Sequence, residues 1–135
     1  MKILYKTRAT ATGGRSGRTA LDDGSFAVDM SPPGSGKGVN PEQLFAMGYA
    51  ACFDNALPFA ARQLQLKPAG TRTSVEVALG QQEAGGYALD VELHVEVQGL
   101  ALADAQTLVE AAHRICPYSN ATRGNVDVRL HVTVA

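Results

Sequence analysis

The sequence predicts an α+β protein, a single domain over residues 1–135, with antiparallel sheet packed around a buried central helix. Three observations carry that prediction. Residues 71–79, 87–97 and 126–134 alternate apolar and polar side chains at the period of a half-buried strand. Residues 41–66 form one long apolar run opened by Asn40-Pro41-Glu42, a good helix start. Leu102 to Ile115 repeats its apolar residues at helical spacing and halts at Cys116-Pro117, because a residue before proline avoids the α region.

In chain order, Ile3 to Thr12 reads as a strand closed by Gly13-Gly14. The turn Gly13-Gly14-Arg15-Ser16-Gly17-Arg18 lacks the spacing and the Lys-Ser/Thr ending of a phosphate loop and reads as a hairpin turn. A short strand, the turn Asp22-Asp23-Gly24-Ser25 and a strand from Phe26 to Met30 complete a meander. Pro32 to Val39 is a loop by composition. In the long helix Leu44, Phe45, Met47, Phe53, Leu57, Phe59 and Leu64 leave hardly any polar face, so the helix should be buried, and Lys67-Pro68-Ala69-Gly70 should stop it. The strands on either side of Ala84-Gly85-Gly86 should form a long antiparallel hairpin, and Val126 to Val134 a closing strand.

Composition narrows the function. An apolar share of 45% and a net charge of -1 from interspersed signs indicate a globular protein without an electrostatic surface for nucleic acid or membrane. The first residues turn polar too soon for a signal peptide, and Asp54, Asn55, Pro58 and Arg62 spoil the apolar helix as a membrane span, so a cytoplasmic location is expected. There, two cysteines far apart in sequence, Cys52 and Cys116, are redox-active or simply free rather than a structural staple. A cysteine inside an apolar helix is more often an inert small hydrophobe than a nucleophile. His94, His113 and His131 share no metal-ligand spacing with either cysteine, so no metal and no cofactor is expected.

Three segments stand in order, the second and third long enough to be specific: Thr12-Gly13-Gly14-Arg15, then Asn40-Pro41-Glu42-Gln43-Leu44-Phe45-Ala46-Met47-Gly48-Tyr49-Ala50-Ala51-Cys52, then Cys116-Pro117-Tyr118-Ser119-Asn120-Ala121-Thr122-Arg123-Gly124-Asn125-Val126-Asp127. In this order they resemble the organic hydroperoxide resistance (Ohr) branch of the OsmC-like family over nearly the whole chain. The resemblance implies an OsmC-like fold, an intertwined homodimer, and a thiol peroxidase for organic hydroperoxides recycled by a lipoylated protein or another dithiol. It implies that Cys52 is the peroxide-reacting thiol, Cys116 its resolving partner in a Cys52–Cys116 disulfide, Arg15 the catalytic arginine and Glu42 the carboxylate that holds it. Asp54-Asn55 departs from the apolar or small residues expected there.

These roles make chemical sense. A thiolate attacks the O–O bond, a guanidinium favours that thiolate, and a carboxylate fixes the guanidinium by a bidentate pair. Glu42 lies ten positions before Cys52, about 15 Å along a straight helix, too far for one side chain to span. A shared site therefore requires a sharp bend or a second copy across a two-fold axis; the second is expected, with Arg15 accompanying Glu42. Phe45, Met47 and Phe53 are candidates for an apolar substrate pocket, and equally ordinary core residues. Two other readings fit the same residues: a Cys-His hydrolase with His113 beside Cys52, and a non-catalytic binder of an apolar ligand.

Overall fold

A computed structural model describes all 135 residues, ordered β1 (Ala9–Thr12), β2 (Arg18–Leu21), β3 (Ala27–Asp29), α1 (Pro41–Leu64), β4 (Gly70–Gln81), β5 (Tyr87–Gln98), α2 (Leu102–Ile115), α3 (Pro117–Thr122) and β6 (Val128–Val134). The chain divides into two compact units, Met1–Leu44 and Phe45–Ala135.

In the first unit β1, β2 and β3 form an antiparallel meander. The first strand is shorter than the alternation suggests. Ala9 already pairs with Leu21, the last residue of β2, and beyond it the chain reverses through a turn pinned by Ser25, whose N–H and hydroxyl both donate to Asp23. Ile3, Leu4 and Tyr5 have no ladder to join and stand exposed. The turn between β1 and β2 is a short 3-10 segment, Gly14–Ser16. It is tight enough that a Cβ at Gly17 would lie 1.8 Å from the Thr12 carbonyl oxygen, which only glycine tolerates.

The first turn of α1 is capped reciprocally: the Gln43 N–H donates to Asn40 Oδ1 at 2.8 Å, and the Asn40 N–H donates to Gln43 Oε1 at 2.9 Å. At its other end the helix stops before the expected breaker. Gln65 takes a left-handed φ of 56°, and the Leu66 N–H returns to the Ala61 carbonyl.

In the second unit β4, β5 and β6 make one sheet, and Val91, Leu93, Val95 and Val97 of β5 point inward against Tyr49, Phe53, Leu57, Leu108 and Val109 of the helices. The hairpin of β4 and β5 is antiparallel, as expected, but β6 runs parallel to β5. The helical crossover through α2 and α3 carries the chain back to the end where β5 began, so β6 must enter in the same direction. The all-antiparallel expectation is corrected accordingly. Helix α3 is a further difference, since its stretch was not expected to be helical. Helix α1 is central but one-sided: Tyr49, Phe53, Ala56, Leu57, Ala60 and Ala61 are buried, whereas Met47 and Phe59 are 56% and 49% exposed.

Candidate active site

Two free thiols meet in the second unit. Cys52 lies on α1 beside the buried stripe. Cys116 occupies the elbow between α2 and α3: its N–H closes α2 on Ala112, and its carbonyl accepts from Asn120 to open α3. Pro117 forces that elbow, because the residue before it must be extended, and Cys116 has φ −64° and ψ 124°. The two sulfurs stand 3.7 Å apart, so modest side-chain rotation brings them to the disulfide length of about 2.05 Å.

Their surroundings differ. Cys116 is fully buried, whereas Cys52 is partly exposed and lines an open cavity of about 370 Å3 with Asn55, Ala56, Phe59, Gln63, Ile115 and Pro117. A small solute entering that cavity meets the Cys52 sulfur first. Burial pushes the Cys52 thiol above its ordinary range; the Tyr118 backbone N–H, donated to its sulfur, works in the opposite sense, and the Cys116 thiol adds to the rise. That N–H is available because it belongs to the first turn of α3, where amides lack a helical acceptor.

Arg15 and Glu42 form a bidentate pair in the first unit, Nη1 to Oε2 at 2.7 Å and Nη2 to Oε1 at 2.5 Å. The short turn presents Arg15 and the capped first turn of α1 presents Glu42. The hydrogen bond from Arg15 holds the Glu42 carboxyl below its usual range, and the guanidinium is correspondingly harder to deprotonate. The pair is therefore charged at any ordinary pH, with both fork nitrogens committed to the carboxylate.

The OsmC-like protein family model matches residues 34–131. The chain belongs to this family. Within the OsmC-like proteins it groups with the organic hydroperoxide resistance proteins, as the three sequence segments suggested. One of that name from Xanthomonas axonopodis pv. citri is 49% identical, covering 96% of this chain and 94% of its own. Among solved structures, an organic hydroperoxide resistance protein from Legionella pneumophila is 44% identical with a TM-score of 0.93, over 98% of this chain and 100% of that one. Another, from Elizabethkingia anophelis with crystallant-derived thiocyanate bound, is 45% identical with a TM-score of 0.90 and covers 100% of both chains.

The structure of this OsmC-like chain thus brings Cys52 to Cys116 and Arg15 to Glu42. It distributes the three nominated pocket residues differently. Phe53 is fully buried in the core, and Met47 is exposed. Phe45 lines a separate cavity of about 350 Å3 with Leu89, Tyr118 and Val126. The wall beside Cys52 is instead supplied by Phe59, Ile115 and Pro117. Asp54 turns toward β4, accepting hydrogen bonds from Thr71 and Thr73, whereas Asn55 faces the Cys52 cavity.

One polar chain escaped the sequence reading. The Tyr49 hydroxyl lies 2.7 Å from Ser119 Oγ, which lies 2.8 Å from His113 Nδ1, so one buried hydroxyl ties α1, α2 and α3 together. Burial pushes the Tyr49 phenol up; burial and the nearby Arg123 charge push the His113 imidazole down, which keeps it neutral near pH 7. Tyr49 stands one turn before Cys52, and Ser119 one turn after Cys116. A signal was therefore present in polar residues at helical spacing from each thiol.

Proposed function

We propose that this chain is a cysteine-based peroxidase that reduces organic hydroperoxides to alcohols. The observation that carries the reading is the pair of free sulfurs 3.7 Å apart, of which only Cys52 borders an open cavity. The names of its relatives, organic hydroperoxide resistance proteins, support the substrate class. In the first step the Cys52 thiolate attacks the outer peroxide oxygen; the O–O bond breaks, the alkoxide takes a proton and leaves as alcohol, and Cys52 becomes a sulfenic acid. In the second, the Cys116 sulfur attacks Cys52 Sγ, the hydroxyl departs as water, and the disulfide forms.

The Arg15–Glu42 pair is assigned to the partner's Cys52 across a two-fold axis in a homodimer. Support comes from α1 running without interruption from Pro41 to Leu64, so the expected alternative of a sharp bend finds none, and from the apolar Met47 and Phe59 left exposed on that helix. A guanidinium brought there opposes the upward push of burial on the thiol and stabilises the departing oxygen. Recycling then requires an external dithiol, and a lipoyl group on its flexible arm suits a partly recessed sulfur. The hydrolase reading has less behind it, since His113 gives its Nδ1 to Ser119. No helix is long and apolar enough to cross a membrane, and we assign the activity to the cytoplasm.

One equivalent of cumene hydroperoxide should remove both free thiols of each chain. Cys52→Ser should abolish this, whereas Cys116→Ser should allow a single oxidation followed by over-oxidation and poor turnover. Turnover should be faster with dihydrolipoamide than with thioredoxin or glutathione. Loss of only one thiol per chain in the wild type would refute the disulfide step.

A further inference from the structure

The face of the β4–β5–β6 sheet turned away from the helices carries a second cluster. His94 on β5 and His131 on β6 are direct partners in the parallel ladder, and their rings stack with centroids 4.6 Å apart and planes 12° from parallel. Both Nε2 atoms approach carboxylates: His94 Nε2 lies 3.5 Å from Glu92 and 3.9 Å from Glu76, and His131 Nε2 lies 3.7 Å from Glu92. One ligand atom each from Glu92, His94 and His131 falls within 4.8 Å of the others.

These separations are too long for strong hydrogen bonds and short for unrelated groups. Ligands around a tetrahedral zinc ion at about 2.0–2.1 Å stand roughly 3.3 Å apart, so small side-chain rotations close the set. Arg129 is the one cation in contact with it. Arg129 binds Asp90 through Nη1 and Nη2 and Glu92 Oε1 through Nε, which leaves Glu92 Oε2 toward His94. With Glu76, Asp90 and Glu92 against one guanidinium, the local charge remains negative.

We propose that His94, His131 and Glu92, with Glu76 at the rim, form a surface site for a divalent transition-metal ion of borderline softness. Imidazole nitrogens select zinc, nickel or copper over magnesium and calcium, which demand oxygen ligands. Two imidazoles on adjacent paired strands are held side by side by the sheet, so the ion gains two-point attachment across β5 and β6. Open positions are left for water. The site is separate from the thiols, whose helices pack on the other face of the sheet.

Two measurements test this. When Ni2+ is titrated into the full-length reduced protein, the His94 and His131 ring resonances should broaden together at about one equivalent while those of His113, on the helix side of the sheet, persist. When Zn2+ is titrated into full-length Cys52→Ser/Cys116→Ser protein, one ion should bind per chain. Replacing either His94 or His131 by Ala should weaken that binding about 10²-fold, since one-point attachment replaces two-point attachment. Glu92→Gln should weaken it less. His94→Ala should leave metal-free peroxidase turnover unchanged. Broadening of one ring without the other, or zinc affinity unaltered by loss of both imidazoles, would overturn the assignment.

Discussion

Ser119→Ala removes a buried hydroxyl that hydrogen-bonds across three helices, and its cost can be worked from the contacts. Ser119 and Tyr49 are fully buried, and His113 is partly buried. Stranding a buried polar group costs about 1–3 kcal/mol. The Tyr49 hydroxyl keeps some help from Thr122, which also faces it, and water can reach the partly exposed imidazole, so both penalties fall toward the low end. The expected total is about 2 kcal/mol, or roughly a 1 M drop in the urea midpoint at a slope of about 2 kcal/mol per molar. The assay is urea unfolding at fixed protein concentration, because any association of folded chains would shift the midpoint. A cycle with Tyr49→Phe should give a coupling of about 1 kcal/mol, since the double variant no longer strands a phenol. The same substitution loosens α3, whose Tyr118 N–H faces Cys52 and whose start is Cys116, so disulfide formation should slow as stability falls. A cost below about 0.5 kcal/mol, or strict additivity in the cycle, would show that the three groups do not act as one network.

Two further substitutions probe the ion pair. If the partner's Arg15 faces Cys52, iodoacetamide alkylation of the wild type should have its midpoint below the ordinary thiol value of about 8.5, and Arg15→Ala should move it above, where burial and Cys116 hold the thiol. The stability of Arg15→Ala should be whole below about pH 8.5 and decline as pH rises toward the raised folded value, because the unfolded chain loses its thiol proton first. Coinciding alkylation profiles would separate Arg15 from the thiol. Gly17→Ala places a Cβ 1.8 Å from the Thr12 carbonyl and must shift the turn that presents Arg15. It should cost about 1–3 kcal/mol by thermal unfolding and lower turnover, while stoichiometric disulfide formation persists.

What could be read without coordinates follows from what each signal contains. The β4–β5 hairpin and α2 were legible because their periodicity is local and long, and the Asn40-Pro41 start was legible because capping chemistry sits within four residues. Alternation, however, carries no direction. Val128 to Val134 looks the same whether it pairs parallel or antiparallel to β5, and only the crossover through α2 and α3 decides. Strand length is likewise a property of the partner: Ile3 to Thr7 has a strand-like pattern, but β2 is too short to pair with it.

The thiol pair marks the boundary between local and nonlocal information. Cys52 and Cys116 are 64 positions apart, and nothing in periodicity or composition joins them; the resemblance nominated them and the elbow at Pro117 places them. That elbow also explains their unequal access. Because Cys116 ends one helix and starts the next, its side chain is enclosed by both, whereas Cys52 projects from the flank of α1 toward the cavity wall of Phe59, Ile115 and Pro117. The same backbone break therefore hides the second sulfur from a solute in the cavity and leaves it within reach of the first, the order of events that the proposed two-thiol mechanism requires. An equally nonlocal register brings His94 to His131, so the ligand set proposed for a metal ion emerges only across the strands.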